Sequence, residues 1–372
     1  MLSFKLPGRL LVVLVFGCGL LFAAHFRTLQ RPISARVVAA ESQIPAADNE
    51  GEEADSQPEH DFRVNVRNLL NQEDFSQLEG IASSARSDKS RFRGGGWKLK
   101  AFYAVIENPG SLTATDAVWN AHLERLNRWM AMDPDSSTPR VALALGYVRF
   151  GVKARGPAMG GGNAEGQQLF AERVKTAQDI LAQARALSTK DAEWYWAMQV
   201  VSLSQNWTRQ QAEQLLAEAS AFEPGYYYFY NRYAAYLFFN GKRGEPEEFA
   251  QTIADRVGGP EGDSIYFQLS MSMNCCGVRG PHAPRLAWDR VKQGFTAVEQ
   301  LFGSTNLQRN AMAFMAARLG DKDFAQQLFA RIGDDWDQYV WRNKAAFDQC
   351  KASLNVAATS SPKGVAATPI NP

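Results

Sequence analysis

Side chains that bind metals or act as nucleophiles are scarce in this chain, which has four histidines and four cysteines among 372 residues. His25 and His60 precede the predicted folded region, which contains only His122 and His282. A zinc site needs three or four ligands from suitable side chains, and the sequence has no HExxH helix. We therefore interpret these histidines as surface or capping residues, and we predict neither a metal nor a cofactor.

Three cysteines lie in the predicted folded region, Cys275, Cys276 and Cys350. In an oxidising compartment, Cys350 could form a disulfide with one of the adjacent pair. A catalytic thiol would need a base, and His282 is six residues from Cys276. Plain structural thiols are the interpretation we favour over both alternatives.

Two glycine-rich segments, RGGGW at 93–97 and GGGN at 160–163, could hold an anion. Neither matches the phosphate-binding GxxxxGK[ST] pattern and neither follows a predicted strand, so we interpret both as loops between helices. The second belongs to residues 156–166, where five glycines and one proline predict neither helix nor strand. One hypothesis places this loop over a face of the domain, above Arg155 and near Trp97 or the run Tyr226–Tyr228. The alternative is a surface insertion.

Aromatic residues occur in two runs, at 194–196 (WYW) and 226–230 (YYYFY). Such runs point all round a helix, so they either pack between helices, which we favour, or line a groove for an extended peptide or glycan. The candidate binding residues are Trp97, Arg155, Trp194, Tyr226 and Tyr227. An enzyme would instead use acids such as Glu165 or Glu193, and paired carboxylates would need to lie about 5 to 9 Å apart.

The net charge of +1 argues against binding nucleic acid through bulk charge, and we predict no nucleic-acid partner. Residues 1–36 contain five basic side chains and no acid, whereas residues 41–61 contain eight acids and no Lys or Arg. The acidic stretch has no aromatic residue, so we predict a disordered spacer at 27–61. Residues 352–372 are rich in Ala, Ser, Thr and Pro and predict a disordered tail.

The N-terminus carries a membrane signal. A short basic segment, 1–9, precedes the apolar residues 10–26, which nearly span a bilayer. We favour an uncleaved anchor over a cleaved secretory signal, because the nearest suitable cleavage site, Val38-Ala39-Ala40, lies well beyond the apolar run. A lipoprotein signal at Cys18 fits least. We thus expect a single-pass inner-membrane protein with a periplasmic domain, or, after cleavage, a secreted periplasmic protein.

Apolar residues from 62 to 351 recur three and four positions apart, which predicts amphipathic helices. Thr115 and Thr208 are placed to cap two of them. The helices come in pairs, such as 191–204 with 209–222 and 306–319 with 322–332, and one pair spans 36 residues. The tetratricopeptide repeat is about 34 residues long, so we predict an all-α, irregular tetratricopeptide-like α-solenoid.

A family resemblance follows from short motifs in a fixed order: WKL at 97–99, RVALA at 140–144, LFAER at 169–173, EPGYY at 223–227 and RIGDDW at 331–336. With these motifs, residues 75–341 resemble the bacterial family catalogued as domain of unknown function 4034. The resemblance implies a tetratricopeptide-like helical fold and a bacterial source, and it transfers no catalytic residue.

These observations predict a membrane-anchored interaction module that binds a protein partner or an extended peptide, because repeat solenoids without convergent catalytic groups usually do so. The alternative is an enzyme that acts on envelope polymers through acids in an aromatic cleft.

Overall fold

The computed structural model describes residues 50–156, 163–205, 207–274 and 285–359. These residues form α-helices, one 3-10 turn and no β-strand. The fold of the described chain is therefore all-α, as the apolar periodicity predicts. Contacts divide the described residues into unit 1, which is Glu59–Phe302, and unit 2, which comprises residues 50–58 and 303–359.

Twelve helices precede residue 303 in the described ranges. They are α1 (Glu50–Gln72), α2 (Phe75–Asp88), α3 (Lys98–Ile106), α4 (Asp116–Met132), α5 (Thr138–Arg155), α6 (Ala164–Arg185), α7 (Ala192–Ser204), α8 (Arg209–Phe222), α9 (Tyr228–Asn240), α10 (Glu245–Val257), α11 (Gly259–Asn274) and α12 (Trp288–Phe302). The 3-10 turn, Arg93–Gly95, lies between α2 and α3.

Helices α5 to α12 form four successive hairpins within unit 1. The two helices of each hairpin pack on each other, and the second helix also contacts the first helix of the next hairpin. The first helices α5, α7, α9 and α11 contact one another in sequence. We call them the first-helix row. Stacked hairpins of this kind bury a continuous core, which makes unit 1 solenoid-like.

The predicted helix starts depend on local capping. The side chain of Thr115 accepts the backbone N–H of Val118 at the start of α4. At α8, Thr208 and Gln211 form a reciprocal capping box. Each cap satisfies backbone donors that the first helical turn cannot pair internally, so the predicted boundaries at Thr115 and Thr208 are confirmed.

Helix α1 begins at Glu50, inside the stretch that the sequence predicts as a disordered spacer, and the last helix continues to Thr359, inside the predicted tail. Acidic residues are concentrated in the first turns of α1, where negative charge is favourable at the positive end of the helix dipole. Further along, Glu59 forms an ion pair with Arg63 one turn later. The run of acidic residues that predicts a disordered spacer is therefore also compatible with the N-terminus of α1.

The prediction that residues 156–166 form neither helix nor strand is wrong at its end, because α6 begins at Ala164. Asn163 caps this helix by accepting the N–H of Gly166 at 2.7 Å. A Cβ at Gly166 would lie 2.3 Å from the carbonyl oxygen of Ala154, so the glycine permits close contact between α5 and α6. Residues 157–162 lie outside the described part of the chain.

Unit 2 contains α13 (Asn306–Leu319), α14 (Lys322–Ile332), α15 (Gln338–Trp341) and α16 (Lys344–Thr359). Helices α13 and α14 match the predicted hairpin, and Gly320 makes the tight turn between them with φ +81°. The buried amide of Asn310 accepts the indole N–H of Trp341 at 2.8 Å and donates to the carbonyl of Asp335. This side chain fastens the loop after α14 to α13.

Among the described helices, none is long and apolar enough to cross a membrane. The predicted anchor at residues 10–26 lies outside the described residues.

Candidate functional site

Residues 91–107, which we call the inner segment, lie along the first-helix row of unit 1. The segment contains the 3-10 turn and α3, and Gly94 and Gly95 both have positive φ in the turn. Toward its C-terminal end, Glu107 pairs with Arg149 of α5 and Lys100 pairs with Glu193 of α7. Toward its N-terminal end, the Trp97 ring contacts Tyr226, just before α9, and the Gly94 carbonyl accepts a hydrogen bond from Gln268 of α11. The chain's own segment therefore covers four successive hairpins of this row.

A buried ion pair lies at the centre of the inner segment. The ammonium of Lys100 donates to the carboxylate of Glu193 at 2.5 Å, and Nζ is also 2.9 Å from the centre of the Trp196 ring. The other carboxylate oxygen of Glu193 accepts the hydroxyl of Tyr226 at 2.5 Å. The Glu193 side chain is 0% exposed and that of Lys100 is 16% exposed.

Burial moves the pKa values of both partners toward neutrality. Desolvation raises the pKa of Glu193 to about 7, although Lys100 opposes the rise. Desolvation also lowers the pKa of Lys100 to about 8, although Glu193 opposes the fall. In both groups the loss of hydration outweighs the attraction between the charges. The pair could therefore exchange a proton near neutral pH, which is the property that general acids and bases need.

A second polar network begins two residues before Glu193. The carboxylate of Asp191 accepts the hydroxyl of Tyr103 at 2.6 Å, the guanidinium of Arg86 at 3.1 Å and the backbone N–H of Glu193 at 2.8 Å. Arg86 also forms an ion pair with Glu79 at 2.8 Å. These bonds tie α2 and α3 to the N-terminus of α7, and they occupy both oxygens of Asp191.

Three of the predicted binding residues, Trp97, Tyr226 and Tyr227, lie in one buried cluster. Trp97 meets the Tyr226 ring edge-on with the centroids 4.9 Å apart. The hydroxyl of Tyr227 donates to that of Tyr228 at 2.9 Å. These rings contact the chain itself, so a partner would reach them only if the inner segment moved.

Arg155, another predicted binding residue, lies elsewhere in unit 1. Its guanidinium is 4.6 Å from the centre of the Phe170 ring on α6, and burial lowers its pKa. The contact joins the two helices that flank residues 157–162. It does not bring Arg155 to the cluster around Trp97.

Trp194 lines a cavity of about 250 Å³, which we call the Trp194 cavity. Its indole N–H donates to the carbonyl of Leu181 at 2.8 Å, which holds the ring against the end of α6. The walls of the cavity include Ser137, Arg185, Lys190, Asp191, Trp194 and Tyr195. Of the five predicted binding residues, Trp194 is the one that lines this cavity.

The two acids considered for an enzyme do not lie together. Glu165 is exposed in the first turn of α6. Glu193 lies near the other end of that helix, because its neighbour Trp194 donates a hydrogen bond to Leu181 there. The sixteen residues between Glu165 and Leu181 correspond to about 24 Å of helix, which is far more than a paired-carboxylate site requires.

His122 is a core residue rather than a surface or capping residue. Its Nε2 is 3.0 Å from the carbonyl oxygen of Ile106, and burial lowers its pKa to about 4. The imidazole is therefore neutral at physiological pH. Among the described residues, no group of three or more His, Cys, Asp or Glu could hold a metal ion.

Cys350 is half-buried on α16, and burial raises the pKa of its thiol. Cys275, Cys276 and His282 lie outside the described residues, so the possible disulfide stays a prediction.

An open apolar groove lies between α2 and α4, and we call it the α2–α4 groove. Phe75 and Trp129 stack in it with centroids 5.5 Å apart, and the Met132 side chain at its edge is 72% exposed. The groove has a volume of about 380 Å³ and is also lined by Gly80 and Asp133. The groove is not among the sites predicted from the sequence, although the small residues of α2 at 76, 80 and 83 indicate a face that a partner could approach.

The acidic rim of the α2–α4 groove comes from Glu79 and Asp133. Desolvation raises the pKa of Asp133, and the nearby charges of Glu79 and Asp135 raise it further. The local excess of negative charge favours a cationic group at this rim.

No protein-family model matches the chain, and no curated protein matches it. The resemblance to domain of unknown function 4034 accordingly stays a prediction.

Proposed function

We propose that this chain is a membrane-anchored protein of the bacterial envelope whose tetratricopeptide-like helical domain binds a protein partner. The apolar run at residues 10–26 supports the anchor, and the acidic stretch after it would separate the domain from the bilayer. Consecutive hairpins support the comparison with tetratricopeptide repeats. A periplasmic domain is the orientation that we propose, with secretion after signal cleavage as the alternative.

The exposed α2–α4 groove is the observation that carries this proposal. The exposed side chain of Met132 continues into the mostly apolar lining of the groove, and a contiguous apolar surface marks an interaction site where a single exposed side chain does not. A second hollow, of about 470 Å³, borders the other side of Gly80 and is lined by Phe62 and Ile81. Since the inner segment already covers the first-helix row, we assign the partner to α2 and not to that row.

The chemistry of the groove defines the segment that would fit. Met132, which is 72% exposed beside the buried Phe75–Trp129 stack, would pack against a large apolar side chain of the partner. Asp133, with Glu79 and Asp135 nearby, would attract a basic residue next to it. We therefore propose a partner segment in which a large apolar residue neighbours Lys or Arg.

Replacing Met132 with Asp tests this function. The exposed position makes the variant compatible with folding, while the new charge should repel an apolar segment. Leu319→Asp is a matched control, because Leu319 is 61% exposed and lies on α13 of unit 2. Crosslinking followed by affinity capture from membranes should recover a partner with wild type and Leu319→Asp but not with Met132→Asp. Equal recovery with both variants would contradict the assignment.

An enzyme that acts on envelope polymers is the second candidate, and the Lys100–Glu193 pair is the observation that favours it. Their pKa values, about 8 and about 7, suit proton transfer near neutral pH, and because Glu193 is 0% exposed a substrate would reach it only if the inner segment moved. Incubation of the purified protein with cell-wall sacculi tests this candidate. Release of soluble fragments by wild type but not by Glu193→Gln would support it, and no release by wild type would contradict it.

A further inference from the structure

The hollow on the other side of Gly80, which we call the α2–α3 hollow, lies between the C-terminal half of α2 and the first residue of α3. Its volume of about 470 Å³ falls in the range of pockets that bind small molecules. Phe62, Ile81 and Ala85 contribute apolar surface to it. The ring of Phe62 meets that of Phe92 edge-on with the centroids 5.4 Å apart. The hollow therefore suits a ligand with an apolar side chain.

Two opposite charges also line the α2–α3 hollow. Within the described chain, the ammonium of Lys98 has no hydrogen-bond or ion-pair partner, and its Nζ lies 5.6 Å from the centre of the Phe92 ring. The carboxylate of Asp88 accepts one hydrogen bond, from the Ser87 hydroxyl at 2.9 Å, and forms no ion pair with a described residue. Lys98 is half-buried and Asp88 is exposed, so a ligand can reach both groups. Because their charges cancel, the hollow favours neither a simple anion nor a simple cation.

Both charged residues lie at the unfavourable end of their own helix. Asp88 is the last residue of α2, where the helix dipole is negative, and Lys98 is the first residue of α3, where it is positive. A cationic group beside Asp88 and an anionic group beside Lys98 would each be attracted by the side chain and by the helix end. The hydroxyls of Ser84 and Ser90 also line the hollow and could bond to either group.

From these observations we propose that the α2–α3 hollow binds a small zwitterion that carries an apolar side chain. The ammonium of the ligand pairs with Asp88, its carboxylate pairs with Lys98, and its side chain lies against Phe62 and Ile81. Such a ligand is either a free α-amino acid or a dipeptide. The α2–α4 groove lies on the other side of Gly80, so this site goes beyond the proposed function and does not depend on it.

Isothermal titration calorimetry of the full-length protein with L-phenylalanine tests the site. L-Phenylalaninamide, which lacks the carboxylate, and N-acetyl-L-phenylalanine, which lacks the ammonium, are the controls. Phenylalanine should bind at least about tenfold more tightly than either derivative, because each derivative loses one of two charged contacts. The dipeptide Phe-Leu identifies the source of the ligand. Tighter binding than phenylalanine supports a dipeptide, and equal or weaker binding supports a free amino acid.

Two variants assign the charges of the ligand. Lys98→Met keeps an apolar stem beside Phe92, and affinity for phenylalanine should fall about tenfold while the preference over phenylalaninamide disappears. Asp88→Asn should instead remove the preference over N-acetyl-phenylalanine. Lys175→Met is the matched control, because Lys175 pairs with Asp179 on the exposed face of α6. No binding of either phenylalanine or the dipeptide, equal affinity for phenylalanine and both derivatives, or unchanged preferences in the two variants would overturn the proposal.

Discussion

Above pH 7, where Glu193 is ionised in the folded protein, replacing Lys100 with Met should destabilise unit 1 strongly, because it leaves the carboxylate of Glu193 without its cation. Methionine keeps the length and apolar stem of lysine, so packing against Trp196 changes little. Glu193 is 0% exposed and would retain only the hydroxyl of Tyr226 as a side-chain donor at its carboxylate. Breaking a buried pair on one side costs about 3 to 5 kcal/mol. For a unit of this size that corresponds to a fall of about 10 °C in Tm.

The double variant Lys100→Met/Glu193→Gln should recover most of this loss. Glutamine carries no charge and can still accept the Tyr226 hydroxyl, and neutral replacement of a buried pair is often close to neutral in stability. Urea unfolding followed by circular dichroism should therefore place the double variant within about 2 kcal/mol of wild type.

Lys175→Met is the control, because its pair with Asp179 is exposed on both sides and should contribute less than about 1 kcal/mol. Equal losses of stability in the Lys100→Met and double variants would show that the charge of Glu193 is not what Lys100 stabilises. An unchanged Tm in Lys100→Met would show that Lys100 does not stabilise unit 1.

Three further changes have expected outcomes. Glu193 keeps its proton up to about pH 7 in the folded state but releases it near pH 4.5 when unfolded, so the free energy of unfolding should fall as the pH rises between these values. Urea titrations at pH 4.5 and 7.5 should show that wild type loses about 3 kcal/mol more than Glu193→Gln over this interval. Gly166→Val should lower Tm, because its Cβ would lie 2.3 Å from the Ala154 carbonyl oxygen and α5 and α6 would have to separate; an unchanged Tm would contradict that contact. Thr208→Ala should cost about 1 kcal/mol by removing the α8 capping box, and Thr208→Ser, which keeps the hydroxyl, should cost less in the same unfolding assay.

Helices and caps were predictable from the sequence because their causes are local. The spacing of apolar residues and the side chains of Thr115 and Thr208 act within one or two turns, and the structure has both caps. The start of α1 was missed because a run of acids suits both a disordered spacer and a helix N-terminus.

The role of Lys100 was not predictable, because a lysine within an amphipathic helix normally faces water. Its burial depends on Glu193, which is 93 residues away in sequence and comes close only when the inner segment lies on the first-helix row. The roles of the aromatic runs also depend on residues that are distant in sequence. Their composition predicts that the rings make packing or binding contacts, but it does not specify that Trp97 packs against Tyr226 while Trp194 borders a cavity.

We propose that the partner binds α2 while the inner segment stays on the first-helix row. Hydrogen–deuterium exchange of the protein with and without its captured partner distinguishes this arrangement from displacement of the segment. We expect slower exchange at the backbone amides of α2 and the end of α4, around Gly80 and Met132, and unchanged exchange from Trp97 to Ile106. Unchanged exchange in α2 together with faster exchange in the inner segment would show instead that the partner displaces that segment and does not bind α2.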